Sequence, residues 1–208
     1  ITIDGSKEKH DFSRVKVDGS GSYNDVVKIL PLWHFQTGGN TTKATFSHAD
    51  LPYLKDSIIN LWQLGIKNVM ANVVYEDVWH EGDDEIFECE LKALADYIIQ
   101  EKCWDKYSVR FFSTHLGFPV EDQALDTNYC GTGSMLAIDY KGDFYPCVRF
   151  MPSSLNNKDG YCIGNSVKGV DTDIARSFNS VTCRTISDQK CIDCEIASEC
   201  SWCSGYNY

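Results

Sequence analysis

The sequence has 208 residues, of which 43% are hydrophobic and 12% aromatic, so it can bury a core as one large domain or two small ones. Its formal charge of −11 argues against a surface that binds nucleic acid or anionic membranes, because both require concentrated Lys and Arg. We also expect no signal peptide and no membrane span, since no apolar run approaches the roughly 18 residues that a span needs.

Strands and helices are predicted to alternate through the first half of the chain. Residues 1–4 have the pattern of a short buried strand, and residues 6–21 that of a polar loop. Ser22 can cap a helix over residues 23–35, which Pro31 should kink or interrupt. The further predicted elements are a strand at 41–47, a helix at 50–63, a strand at 67–75, a helix at 83–101 and a strand at 109–113.

This alternation is typical of βαβ units with a parallel sheet. Because the pattern begins in a strand and contains about four strands, we predict the later part of a (β/α) barrel and expect the chain to be a fragment. A small doubly wound sheet is the alternative.

The second half of the chain has a different character. Beyond residue 120 the sequence is rich in Cys and Gly and has little helical periodicity. A β-hairpin is predicted over residues 135–148, because Gly142-Asp143 supplies the positive φ of a tight turn. The predicted domains are therefore residues 1–120 and 121–208.

Four cysteines lie close together near the C-terminus, in the run Cys191-x2-Cys194-x5-Cys200-x2-Cys203. Structural zinc sites usually separate two Cys-x2-Cys pairs by about 12–20 residues. Iron–sulfur clusters take thiolates from more compact runs, often completed by a distant cysteine. The spacing favours an iron–sulfur cluster over zinc. A disulfide scaffold is disfavoured, because ten cysteines are too few for one in a chain of this length.

Other titratable residues carry weaker signals. The five histidines have no mutual ligand spacing, so each is predicted to be a structural or surface residue: His10, His34, His48, His80 and His115. Three acids follow predicted strands, where active-site groups gather in a barrel, although solvated loop acids are the simpler interpretation: Asp50, Glu76 and Asp77.

Two stretches of the chain resemble one family. The pattern Cys130-x11-Gly142-x4-Cys147, followed by the four-cysteine run, resembles the SPASM domain of radical S-adenosylmethionine (SAM) peptide maturases. The stretch Thr2-Ile3-Asp4-Gly5, followed by His10-Asp11 and Arg14, is similar to a Ser-x-Asp-Gly…His-Asp-x-x-Arg stretch in the middle of the radical SAM barrel. The likeness is closest to the maturases that form Cys thioether crosslinks in sactipeptides and ranthipeptides.

The resemblance implies an α/β fold: the later half of a partial (β/α)6 TIM-like barrel, then a small cysteine-rich SPASM domain with a β-hairpin, truncated at its C-terminal end. It also implies two auxiliary [4Fe-4S] clusters. The inner cluster would be held by Cys130, Cys147 and Cys203. The outer cluster would be held by Cys191, Cys194 and Cys200, together with a cysteine beyond this sequence.

The inner set has only three thiolates, so a fourth position is open to a substrate cysteine or to another protein group such as Cys162 or Cys183. By the same resemblance, Thr2, Asp4 and Arg14 line the site for S-adenosylmethionine, where a hydroxyl and a guanidinium suit its ribose and carboxylate.

The activity implied is that of a cytoplasmic oxidoreductase acting on a small, Cys-containing ribosomal precursor peptide (a RiPP substrate), with electrons from a donor such as flavodoxin or ferredoxin. The Cys-x3-Cys-x2-Cys motif that would hold a third [4Fe-4S] cluster for S-adenosylmethionine is not in these 208 residues, so we expect this chain alone to be inactive. Two alternatives are another SPASM reaction, such as formylglycine generation in sulfatase maturation, and a zinc-stabilised binding module without a redox role.

Overall fold

The computed structural model describes residues 1–74, 78–112, 121–128, 130–154, 159–195, 197 and 203–205. The chain divides into two compact units, an N-terminal unit, Ile1–Ser113, and a C-terminal unit, Thr114–Tyr208. The described residues form a mixed α/β fold, with a small parallel sheet in the N-terminal unit and a separate antiparallel sheet in the C-terminal unit. No helix among them is both long enough and apolar enough to cross a membrane.

The N-terminal unit is built around a parallel sheet in the order β1-β2-β3. Its elements are α1 Lys7–Ser13, α2 Tyr23–Thr37, β1 Thr41–Phe46, a 3₁₀ helix His48–Tyr53, α3 Leu54–Gln63, β2 Asn68–Val73, α4 Asp83–Glu101, β3 Ser108–Val109 and a 3₁₀ helix Arg110–Phe112. Thr41 lies opposite Asn68, and Phe46 lies opposite Val73. The carboxyl ends of β1 and β2 therefore meet at one edge of the sheet.

Apolar burial explains why these segments form these elements. In β1, alternate residues are buried, as expected for a strand that turns one face to a core. In α4, Leu94 is fully buried, and the other apolar residues of the same predicted face pack against the core: Phe87, Leu91 and Ile98. The predictions of β1, β2 and α4 are confirmed.

The predicted strand at residues 1–4 is wrong. These residues are not in a strand, although Ile3 is fully buried in the core. The reason is local, because the backbone N–H of Asp4 donates to Nδ1 of His10, 3.2 Å away, instead of to a neighbouring strand. Among the described residues the parallel sheet thus has three strands and does not close into a barrel.

The prediction of a polar loop at residues 6–21 is wrong in part, and so is the expected interruption of the second helix at Pro31. Part of the predicted polar loop is the short helix α1, whose N-cap residue Ser6 accepts a hydrogen bond from the backbone N–H of Lys9. Pro31 does not interrupt α2, which continues to Thr37. It lies in a helix whose inner face packs on the core, and that packing outweighs the missing backbone hydrogen bond.

The C-terminal unit contains short elements around an antiparallel sheet in the order β4-β5-β6-β7. They are α5 Asp122–Leu125, β4 Ala137–Ile138, β5 Asp143–Tyr145, a 3₁₀ helix Val148–Phe150, β6 Gly164–Asn165, β7 Gly169–Val170, α6 Thr172–Asn179, α7 Cys183–Ile186 and α8 Gln189–Ile192. The predicted hairpin is confirmed as the β4–β5 pair. Gly142 has φ +83° in its turn, and the side chain of Asp139 accepts the backbone N–H of Asp143 at 3.0 Å.

Candidate metal centre

The three cysteines of the predicted inner set come together in the C-terminal unit. Burial raises the pKa of the Cys147 thiol, and the thiols of Cys203 and Cys130 raise it further. The residue after Cys203, Ser204, lies against Cys130, with 3.4 Å between its Oγ and the Cys130 Sγ. Two stretches of the chain, one with Cys130 and Cys147 and the other with Cys203, therefore contribute sulfur to one region.

The segment around Cys203 is also held against the turn that follows Cys147. A Cβ placed on Gly205 would lie 2.6 Å from the Cβ of Arg149, so only a glycine fits this approach without a shift. The backbone amides of Arg149 and Phe150 lower the pKa of Cys147, opposing the effect of burial. Each of the three thiols is only partly exposed.

Two buried hydroxyl groups surround the sulfur of Cys130. Its Sγ lies 2.8 Å from Oγ1 of Thr132 and 3.4 Å from Oγ of Ser204, and these two hydroxyl oxygens are 2.8 Å apart. Asn128 closes the loop, since its Nδ2 donates to the backbone carbonyls of Thr132, at 2.6 Å, and of Phe178, at 3.0 Å. The Cys130 loop is therefore organised by polar contacts.

These contacts change the acidity of Cys130. Burial raises the pKa of its thiol, but hydrogen bonds from the hydroxyls and backbone amides of Ser204 and Thr132 outweigh burial, and the pKa lies below its ordinary value. The thiolate is the form that binds metals. The surroundings of Cys130 thus favour its thiolate form.

The outer set is described only in part. Cys191 is exposed in α8, Cys194 is partly buried after it, and Cys200 lies outside the described residues. The nine described cysteines are all free thiols. Among the described residues, no group of three or more His, Cys, Asp or Glu side chains is already arranged around a single ion position.

Three thiols converging on one region, one of them favouring the thiolate, fit a thiophilic metal or an iron–sulfur cluster in donor type. The three sulfurs are not yet arranged around one metal position, so binding of a metal or cluster would draw them together. This is the usual behaviour of metal sites in small domains, where ligand binding and folding are coupled.

The residues of the predicted S-adenosylmethionine site are partly brought together. Arg14 forms an ion pair through its Nε with Oδ2 of Asp4, and Thr2 is exposed. His10 is fully buried, accepts the backbone N–H of Asp4 and lies 3.1 Å from Oγ of Ser22 through its Nε2. These contacts give Asp4, Arg14 and His10 a local structural role.

Gly5 of the same stretch has a clear physical reason to be glycine. Its φ is +141°, and a Cβ at this position would overlap the side chain of Ser57. The backbone N–H of Ser6 donates to Oγ of Ser57 at 3.2 Å, which explains the close approach.

A cluster that the sequence did not predict lies at the carboxyl edge of the parallel sheet. Nδ1 of His48, just after β1, lies 2.8 Å from Oδ1 of Asp83, and the backbone N–H of His80 donates to Oδ2 at 2.7 Å. The rings of His48 and His80 are 3.8 Å apart between centroids. The sequence signal that could have revealed the cluster is that these residues follow neighbouring parallel strands.

The interpretation of Asp50 as a solvated loop acid is wrong. Asp50 is 4% exposed, and its Oδ2 is paired at 3.1 Å with Nζ of Lys9, whose side chain is also buried. Nζ of Lys9 also donates to the carbonyl of Thr45 at 2.8 Å, which compensates for its burial. Glu76, Asp77 and His115 lie outside the described residues.

We compared the sequence with protein-family models and with curated proteins, and nothing matches in either comparison. The cysteine site and the motifs that resemble the radical SAM family are therefore the features that bear on a function.

Proposed function

We propose that the C-terminal unit binds an iron–sulfur cluster through Cys130, Cys147 and Cys203. The observation that carries this proposal is that the segment containing Cys203 packs against the segments of both other cysteines. Ser204 lies 3.4 Å from the Cys130 sulfur through its Oγ, and Gly205 lies against Arg149, two residues after Cys147. Such a cluster, when bound, supplies one-electron transfer at this position.

The protein groups of the site hold and shield the sulfurs. The hydroxyls of Thr132 and Ser204 orient Cys130 through hydrogen bonds. Phe150, which is 1% exposed, packs with Cys147 in the apolar cluster of this unit and limits the access of water from that side. Water exclusion of this kind is one of the means by which a protein sets a cluster's potential.

The wider proposal follows the family resemblance: the chain is the C-terminal part of a cytoplasmic radical SAM peptide maturase, with a partial (β/α)6 barrel and a SPASM domain. It includes a second auxiliary cluster, a third [4Fe-4S] cluster for S-adenosylmethionine, an electron donor such as flavodoxin or ferredoxin, and a Cys-containing precursor peptide that acquires thioether crosslinks. The ligands of the second cluster would be Cys191, Cys194 and Cys200. S-adenosylmethionine would bind near Thr2, Asp4 and Arg14.

A zinc-stabilised binding module is the second candidate. The small apolar core of the C-terminal unit favours it, because a structural metal adds folding free energy without any redox role. Zinc and iron–sulfur clusters would use the same thiols, so metal analysis distinguishes the two candidates.

The test is the metal content of the full chain, purified without oxygen, with iron, sulfide and zinc measured beside the absorption spectrum. We expect about four irons and four sulfides for each cluster. Alanine variants at Cys130, Cys147 and Cys203 should each lose inner-cluster iron. The matched control is Cys89→Ala, because Cys89 is exposed and lies in α4 of the N-terminal unit.

Zinc without iron would contradict the iron–sulfur proposal and support the zinc-stabilised binding module. Full iron content in all three variants would remove these cysteines as ligands and contradict the proposal.

A further inference from the structure

We propose that Thr132 and Ser204 are positioning residues that hydrogen-bond the sulfur of Cys130 in the cluster-bound state and raise the reduction potential of the cluster. This inference rests on the proposed function. It assigns a role to two residues that the cysteine pattern does not include.

The two hydroxyls are built into the site. Thr132 is 1% exposed and Ser204 is 6% exposed. The side-chain partners that the structure gives these hydroxyls are each other and the sulfur of Cys130. Placing two hydroxyl groups in the interior is costly unless both are hydrogen-bonded, so their position beside one sulfur calls for an explanation.

The number of protons determines how the network can be arranged. Each hydroxyl has one proton to donate, whereas the sulfur of a metal-bound cysteine has none and can only accept. Ser204 and Thr132 can then both donate to Cys130, or one can donate to the other while the second donates to the sulfur. In either arrangement, at least one hydroxyl donates a hydrogen bond to the ligand sulfur.

Asn128 cannot replace these donors. Both protons of its Nδ2 are used by backbone carbonyls, and its Oδ1 lies 3.5 Å from the Cys130 sulfur. An amide oxygen accepts and does not donate, so it offers nothing to a sulfur without a proton. Thr132 and Ser204 are therefore the side-chain donors available to Cys130 among the described residues.

The pair also joins two proposed ligand segments. Ser204 directly follows Cys203, and Thr132 lies two residues after Cys130, so their contact holds together segments that are 72 residues apart. A purely structural role for the pair would require only this contact between the two segments. Hydrogen bonds to a ligand sulfur have a further effect, because they withdraw electron density and stabilise the reduced cluster.

The experiment is a spectroelectrochemical titration of the cluster-loaded full chain without oxygen. Thr132→Val and Ser204→Ala should each shift the inner-cluster midpoint to lower potential, while Thr132→Ser, which keeps the hydroxyl, should retain the wild-type value. The control is Ser134→Ala, because Ser134 is exposed in the same loop and should leave the midpoint unchanged.

Unchanged midpoints in both hydroxyl-deletion variants would overturn the inference and leave the proposed function intact. Loss of iron in these variants, with iron retained in Ser134→Ala, would also overturn it, because the pair would then only hold the fold. Absence of iron in the wild-type chain would remove the proposed function, and the inference with it.

Discussion

The two units are stabilised in different ways. The described part of the N-terminal unit has fourteen buried apolar residues in one cluster, and its strands β1 and β2 are six residues long. The described part of the C-terminal unit has five, and its strands are two or three residues long. Apolar burial is roughly proportional to the free energy that it contributes, so the first core is much the stronger.

The comparison indicates what the second unit requires. A unit with so small an apolar core gains less free energy from burial, so it has more need of a bound metal to stabilise it. The N-terminal unit has no such need, because its helices and strands bury a continuous core. We therefore expect metal to matter for one unit and packing for the other.

Removal of the metal should give the largest difference between the two units. In the full chain, stripping the metal with a chelator should accelerate hydrogen exchange of the backbone amides of β4 to β7 by more than about tenfold, because metal binding and folding are coupled there. The amides of β1 and β2 should not change. Equal protection of β4 to β7 with and without metal would contradict the comparison.

Truncation of Phe46 should damage the N-terminal unit alone. The side chain is fully buried and contacts Phe111 and Lys9, so Phe46→Ala should cost about 3–5 kcal/mol in the free energy of unfolding. The control Phe35→Ala removes a ring that is 87% exposed and should change stability by less than about 0.5 kcal/mol. Chemical denaturation measures both, and similar losses would show that burial is not what distinguishes these positions.

The smallest expected effect is a gain in stability, on substitution of Thr42. Oγ1 of Thr42 is buried without a hydrogen-bond partner among the described residues. Thr42→Val keeps the shape and removes the unsatisfied hydroxyl, so stability should rise by about 1 kcal/mol. In Thr41→Val, at an exposed neighbour whose hydroxyl donates to Asn40, thermal unfolding should be almost unchanged. A destabilised Thr42→Val would mean that the hydroxyl does have a partner.

Much of the fold could be predicted because its signals are local. The apolar period of α4 and the β-branched run of β1 are visible within a short window, and Gly142 marks the turn of the β4–β5 hairpin. The error at residues 1–4 has the opposite cause. Whether an apolar segment is a strand depends on a partner for its backbone, and here His10 takes the N–H of Asp4.

The site shows the same division. The spacing of the cysteines predicted a metal site, but the hydroxyls of Thr132 and Ser204 give no signal, since Ser and Thr are common in loops and these two residues are 72 residues apart in the sequence. The contact of His48 with Asp83 and the burial of Asp50 against Lys9 were missed for a related reason. Pairs of this kind form only when separate elements fold against one another.

The sequence by itself therefore determined β1, β2, α4 and the β4–β5 hairpin, and it placed cysteines at ligand spacing, because periodicity and ligand spacing are properties of neighbouring positions. Only the tertiary structure decided which hydroxyls contact Cys130 and which acids are buried. These contacts depend on distances between residues far apart in the chain. Such distances are set by the packing inside each unit.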